Sequence, residues 1–103
     1  MIIPAIPEVT YDLIKYYEGC YLTPYRDPAG YWTVGYGHLL TLDRNAPRSP
    51  KIDRTEALAF LASDVAQTAQ NVCSLILAPC SPYLYAALLD FTFNMGSVML
   101  RAF

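Results

Sequence analysis

Two acidic side chains and one hydroxyl offer the clearest chemistry in this sequence. Glu18 ends an amphipathic run and is followed at once by Gly19. Asp27 comes nine positions later, at the head of Asp27-Pro28-Ala29-Gly30. Thr33 follows after six more, in a short alternating run closed by Gly35 and Gly37. A carboxylic acid that keeps its proton, opposed by a second carboxylate, suits acid-assisted hydrolysis of a glycosidic bond. Glu18 suits the acid role, because the negative end of a helix dipole and apolar neighbours both disfavour ionisation. Asp27, in a turn near water and backbone N–H groups, is expected to stay ionised, so the two carboxyls can divide acid and base roles. Thr33 is then available to hydrogen-bond an attacking water. Each residue also has an ordinary structural use: a Glu at a helix end, an Asp before a Pro, a Thr in a strand.

The elements that must position these residues can be read in order. The first helix is expected over 8–18, with Val9, Leu13, Ile14 and Tyr17 as its apolar stripe, early acids at Glu8 and Asp12, and Gly19 as a left-handed cap. Residues 21–37 read as a β-hairpin or small meander rich in Tyr, Trp, Thr and Val. Its turn is Asp27-Pro28-Ala29-Gly30, where Pro28 fixes φ and Gly30 allows positive φ. Period two puts Trp32 and Val34 on one face and Tyr31, Thr33 and Gly35 on the other. Residues 39–52 are expected to form a loop, and Arg44, Arg48, Lys51 and Arg54 cluster there and just beyond it. An ordinary solvated loop is the simpler reading; a contact for an anionic wall polymer is the functional one.

A second helix begins at a capping box, Asp53 with Glu56, and keeps helical spacing through Leu58, Leu61, Val65, Ala69, Val72 and Ile76 to about Leu77. This makes it a candidate spine between two lobes. Ser81 and Pro82 start a third helix, with Leu84, Leu88 and Phe91 on one face and Gly96 as its expected end. The expected architecture is α+β, one domain over 1–103: a helix and hairpin lobe at 8–52, a connecting helix at 53–77, and the start of a helical lobe at 81–103.

Composition narrows the function. The chain has 103 residues, of which 54% are hydrophobic, enough for a real core and too apolar for disorder. A net charge of −2 gives no sign of nucleic-acid binding. Cys20, Cys73 and Cys80 lack metal-site spacing and read as buried thiols, with a Cys73–Cys80 bridge as an alternative. The N-terminus has neither a basic region nor a long apolar core, so no secretory signal is expected. No run reaches the about 18 apolar residues of a membrane helix.

Four segments, LIKYYEG, PYRDPAGYWTVGYGHLLT, TEALAFLASDV and ALLDFTFNMG, together resemble the phage-type lysozymes. These are the endolysins of tailed bacteriophages, in glycoside hydrolase family 24. The resemblance runs from about Val9 to Gly96 and implies a lysozyme-like fold. It implies cleavage of the β-1,4 bond between N-acetylmuramic acid and N-acetylglucosamine in peptidoglycan, with no metal or cofactor. On this match Glu18 is the general acid, Asp27 the second carboxylate and Thr33 the water-positioning residue. The family is regarded as inverting, so the carboxyls are expected about 6.5–9.5 Å apart. Tyr25, Tyr31, Trp32 and Asn94 are the candidates for contact with the glycan. His38, the one histidine, is expected to pair with Asp64 on the long helix.

The sequence departs from the family pattern in two respects. Relatives usually continue for several tens of residues beyond the FNMG segment, and Leu84 stands where many carry Gln. The apolar tail SVMLRAF is expected to promote self-association. Synthesis in the host cytoplasm and action on the cell wall after release are also implied. Two other readings stay open. One is a non-catalytic wall-binding module using Tyr25, Tyr31, Trp32 and Tyr36 as stacking rings. The other is a Cys20–His38 amidase or peptidase, which would need a thiol of lowered pKa beside a positioned base.

Overall fold

The computed structural model describes residues 5–73 and 81–102. Three helices and three strands follow the order α1 (Glu8–Glu18), β1 (Tyr21–Arg26), β2 (Trp32–Gly35), β3 (His38–Leu39), α2 (Arg54–Cys73) and α3 (Pro82–Ala102). The strands form one antiparallel sheet in the order β1-β2-β3. This is the α+β arrangement expected from the sequence. Cys80 and residues 74–79, with the expected helix end at Leu77, lie outside the described residues, as does any Cys73–Cys80 bridge.

The α1 helix buries a different stripe from the one its apolar residues suggest. Thr10 and Ile14 are its buried residues, while Val9 is exposed and Tyr17 is 68% exposed. Continuing that i, i+4 row by one step reaches Glu18, so the inward face of α1 ends on a carboxylic acid. Gly19 then stops the helix at φ +69°, donating its N–H to the Lys15 carbonyl at 3.0 Å.

The central strand β2 is buried along its whole length, so its alternation does not divide core from water. At Gly35, whose φ is +65°, a Cβ would lie 3.3 Å from Cβ of Ala57. A glycine facing an alanine lets the sheet sit close on α2. The α2 N-terminus is closed by the expected capping box: the Glu56 N–H donates to Asp53 Oδ1 at 2.7 Å, and the Asp53 N–H to Glu56 Oε1 at 3.4 Å.

The core divides in two along α2. Ala57, Leu61 and Val65 pack with Ile14, Tyr36 and Phe93. Ala69 and Val72 pack with Tyr85 and Leu89. Ile6 touches both clusters. Ser81 caps α3 through Oγ, which accepts the Leu84 N–H at 3.1 Å. Gly96 does not end this helix, which continues to Ala102. An interior glycine costs a helix only about 1 kcal/mol relative to alanine, and no proline follows to break it. Leu84, Phe91 and Met95 lie exposed along α3.

Candidate active site

The Asp27 turn is fixed by its own side chain. Oδ1 accepts the N–H groups of Ala29 and Tyr31, each at 2.9 Å. The Gly30 N–H reaches the Asp27 carbonyl at 2.9 Å, and the Asp27 N–H reaches the Tyr31 carbonyl at 2.9 Å. Gly30 takes φ +92°, a conformation that glycine permits at no steric penalty. The turn folds back over the aspartate. Asp27 is therefore only 6% exposed, not near water as its turn position suggested.

Thr33 is tied to the same place. It is fully buried, and its hydroxyl donates to the Tyr31 carbonyl at 3.2 Å. One backbone residue thus holds both groups: the Tyr31 N–H binds Asp27, and the Tyr31 carbonyl accepts from Thr33. The strand register adds to this, with Thr33 opposite Tyr25.

Glu18 enters from the end of α1 and lies against the turn joining β2 to β3. A Cβ at Gly37 would stand 2.6 Å from Glu18 Oε2 and 3.0 Å from its carboxyl carbon. Gly37 has φ +75°, so the turn and the absent side chain both call for glycine. In the sequence Gly37 reads only as a strand terminator. The signal for its larger role is its place between Tyr36 and His38, one turn away from the strand that holds Thr33.

Two of the proposed glycan contacts are covered. Tyr31 is 5% exposed and Trp32 is 8% exposed. The Arg26 and Arg48 guanidinium carbons lie 4.3 Å and 5.3 Å from the Trp32 ring centroid, and that of Arg44 lies 4.6 Å from the Tyr31 centroid. The indole N–H donates to the Ala46 carbonyl at 2.8 Å, which ties the 39–52 loop to the sheet. These rings pack under arginines instead of presenting a stacking face to a sugar. Tyr25 stays half-buried, its ring 4.9 Å from that of Tyr21. Asn94 is turned to its own helix, donating to the Asp90 carbonyl at 3.0 Å and to Asp90 Oδ1 at 3.3 Å. Tyr36 belongs to the core, and burial, reinforced by the neighbouring Cys20, raises its phenol.

His38 Nδ1 and Asp64 Oδ2 are 2.8 Å apart, and the imidazole stacks on Phe60 with centroids 4.1 Å apart. The only histidine is thus held from two sides by α2. Cys20 is a free thiol packed at the core edge toward Tyr36. That arrangement gives the Cys20–His38 peptidase reading no support.

Residues 15–102 match the phage lysozyme family. The chain belongs to that family. It is 38% identical over 84 residues to an endolysin of Acyrthosiphon pisum secondary endosymbiont phage 1, an alignment that takes in 82% of this chain and 55% of that protein. The endolysin of Escherichia coli O157:H7 phage FAHEc1 superposes with a TM-score of 0.79 at 28% identity, covering 95% of this chain and 62% of that one. A putative phage endolysin from S. enterica superposes at 0.73 with 27% identity, covering 89% of this chain and 95% of that one. Against the phage 1 endolysin, then, this lysozyme homologue spans little more than half the relative's length.

Proposed function

We propose that this chain is a muramidase that hydrolyses the β-1,4 bond between N-acetylmuramic acid and N-acetylglucosamine in peptidoglycan, with inversion. Glu18 gives its proton to the glycosidic oxygen as the bond breaks. Asp27 takes a proton from a water that attacks the anomeric carbon from the opposite face. Thr33, its hydroxyl hydrogen already given to Tyr31, offers a lone pair to steer that water. The leaving sugar gains the proton and the new reducing end gains the hydroxyl, so the step balances.

The observation that supports this most is the seat of Glu18 on Gly37. It places a carboxylic acid at the C-terminal end of α1, where the helix dipole favours the uncharged form. The backbone of Tyr31, which fixes both Asp27 and Thr33, supports the other half of the assignment. Tyr25 and Asn94 remain the glycan contacts of this reading. The protein is made in the host cytoplasm and acts on the cell wall, and the exposed apolar residues of α3 favour self-association.

Digestion of purified peptidoglycan by the 103-residue chain tests the proposal. New reducing ends at muramic acid are expected, with the α-anomer formed first. The second reading is a module that binds wall without cutting it, and the burial of Asp27, only 6% exposed, favours it. Retention on sacculi with no new reducing ends would establish it.

A further inference from the structure

Three of the seven basic residues of this net-acidic chain meet on one small surface. Arg26 comes from the end of β1, and Arg44 and Arg48 from the 39–52 loop. Arg26 and Arg48 share the Trp32 ring, and Arg44 covers the adjacent Tyr31 ring. Arg26 Nη1 donates to the carbonyls of Gly30 and Arg44, each at 2.8 Å, which binds the loop to the hairpin turn. All three residues are exposed, and none has a carboxylate partner among the described residues. Guanidinium planes held on aromatic faces lose little further freedom when they bind, and their forked donors match a carboxylate. The concentration of like charge is unfavourable until an anion arrives.

The position of this surface suggests its ligand. Arg26 is the chain neighbour of Asp27. Tyr31 gives its backbone N–H to Asp27 while its ring lies under Arg44. Arg26 and Arg44 therefore pack on the turn, 27–31, that carries the carboxylate assigned to the scissile bond. In peptidoglycan, the carboxylates nearest that bond belong to the stem peptide carried by the muramic acid. We infer that Arg26, Arg44 and Arg48 form a site for stem-peptide carboxylates, seating the strand whose glycan bond lies at Glu18 and Asp27. This inference rests on the muramidase reading for its orientation. Its test needs no turnover.

Retention of the full chain on insoluble sacculi is measured at low ionic strength in a Glu18→Gln background, so that the wall stays intact. Adding Arg44→Gln and Arg48→Gln should weaken retention about tenfold, the scale of one or two charge-assisted hydrogen bonds. Arg44→Lys with Arg48→Lys should restore part of the loss, because charge remains and the planar fork does not. On sacculi stripped of stem peptides by an amidase, the glutamine pair should have no effect. The site is overturned by unchanged retention on intact sacculi, or by an equal loss on stripped sacculi, which would point to phosphate or glycan instead. An equal loss from Lys15→Gln with Lys51→Gln would also overturn it, showing bulk charge alone. Thermal melts confirm that each variant is folded; should the pair fail to fold, Arg48→Gln alone carries the same comparison. Failure here would leave new reducing ends from the unmodified chain unaffected, so the two readings are separable.

Discussion

The carboxyl of Glu18 occupies the space that a side chain at Gly37 would fill, with Oε2 only 2.6 Å from where a Cβ would stand. A side chain at position 37 cannot be added without moving Glu18. Gly37→Ala should therefore push the acid out of place and also strain a backbone at φ +75°. A stability loss of about 1–2 kcal/mol is expected from the strain. Cell-wall clearing should fall at least about tenfold, because small displacements of an acid weaken proton transfer. Melting curves and turbidity assays on the same preparation separate the two effects.

Replacing the acid itself gives the sharper contrast. Glu18→Gln keeps size and polarity but removes the proposed proton donor, so clearing should drop by about 10²-fold or more. Its melting temperature should stay close to that of the parent. Clearing at parental rates by this variant would contradict the muramidase proposal.

The contact between His38 and Asp64 holds the β2–β3 turn region to α2. Asp64→Asn should destabilise the chain by about 1 kcal/mol, in keeping with a partly exposed charged hydrogen bond. Phe60→Ala, which removes the ring beneath the imidazole, should add to that loss less than independently, since both act on one residue. Denaturant unfolding of the two single variants and the double variant measures the coupling.

Asp90 gives a pH signature. Burial raises its carboxyl above the ordinary aspartate value, with a smaller opposing pull from the Asn94 amide. The folded chain therefore holds this proton more tightly than the unfolded chain does. The stabilisation is full below the ordinary aspartate range and is lost as pH rises through the raised value. Asp90→Asn should thus be more stable than the parent at neutral pH, and the difference should disappear on acidification. Melting temperatures measured across that range check the sign.

Sheet-to-helix contact can be tested at Gly35. An alanine there would meet Ala57 at 3.3 Å while holding φ +65°. A loss of about 1–3 kcal/mol is expected, with the main effect on the β-sheet.

Local rules made much of this molecule readable. The Gly19 stop, the Asp53–Glu56 box and the Ser81–Pro82 start are decided by neighbours within a few positions, and each appears where the sequence places it, although Gly19, at φ +69° and ψ 170°, leaves the helix outside the expected left-handed helical conformation. The pairing of His38 with Asp64 spans 26 positions and was legible only through family resemblance. What could not be read depends on distant packing. The inward row of α1 runs through Thr10 and Ile14 to Glu18, which an apolar-stripe rule overlooks because two of its members are polar. Tyr31 and Trp32 look like sugar-stacking rings until Arg26, Arg44 and Arg48 are seen over them. Gly96 resembles a helix stop, but nothing after it prevents another turn.

The two core clusters meet on α2 between Val65 and Ala69, and Thr68 lies in that gap with its hydroxyl donating to the Asp64 carbonyl at 2.9 Å. Such a bond competes with the helix ladder and softens bending at that point. The junction is accordingly where α2 is expected to bend most readily, between the cluster that holds Ile14 and Tyr36 and the cluster that holds Tyr85 and Leu89. In the interior of α2, away from its fraying ends, amide exchange should be faster here than in the turns on either side, and Thr68→Ala, which removes the competing bond, should slow it.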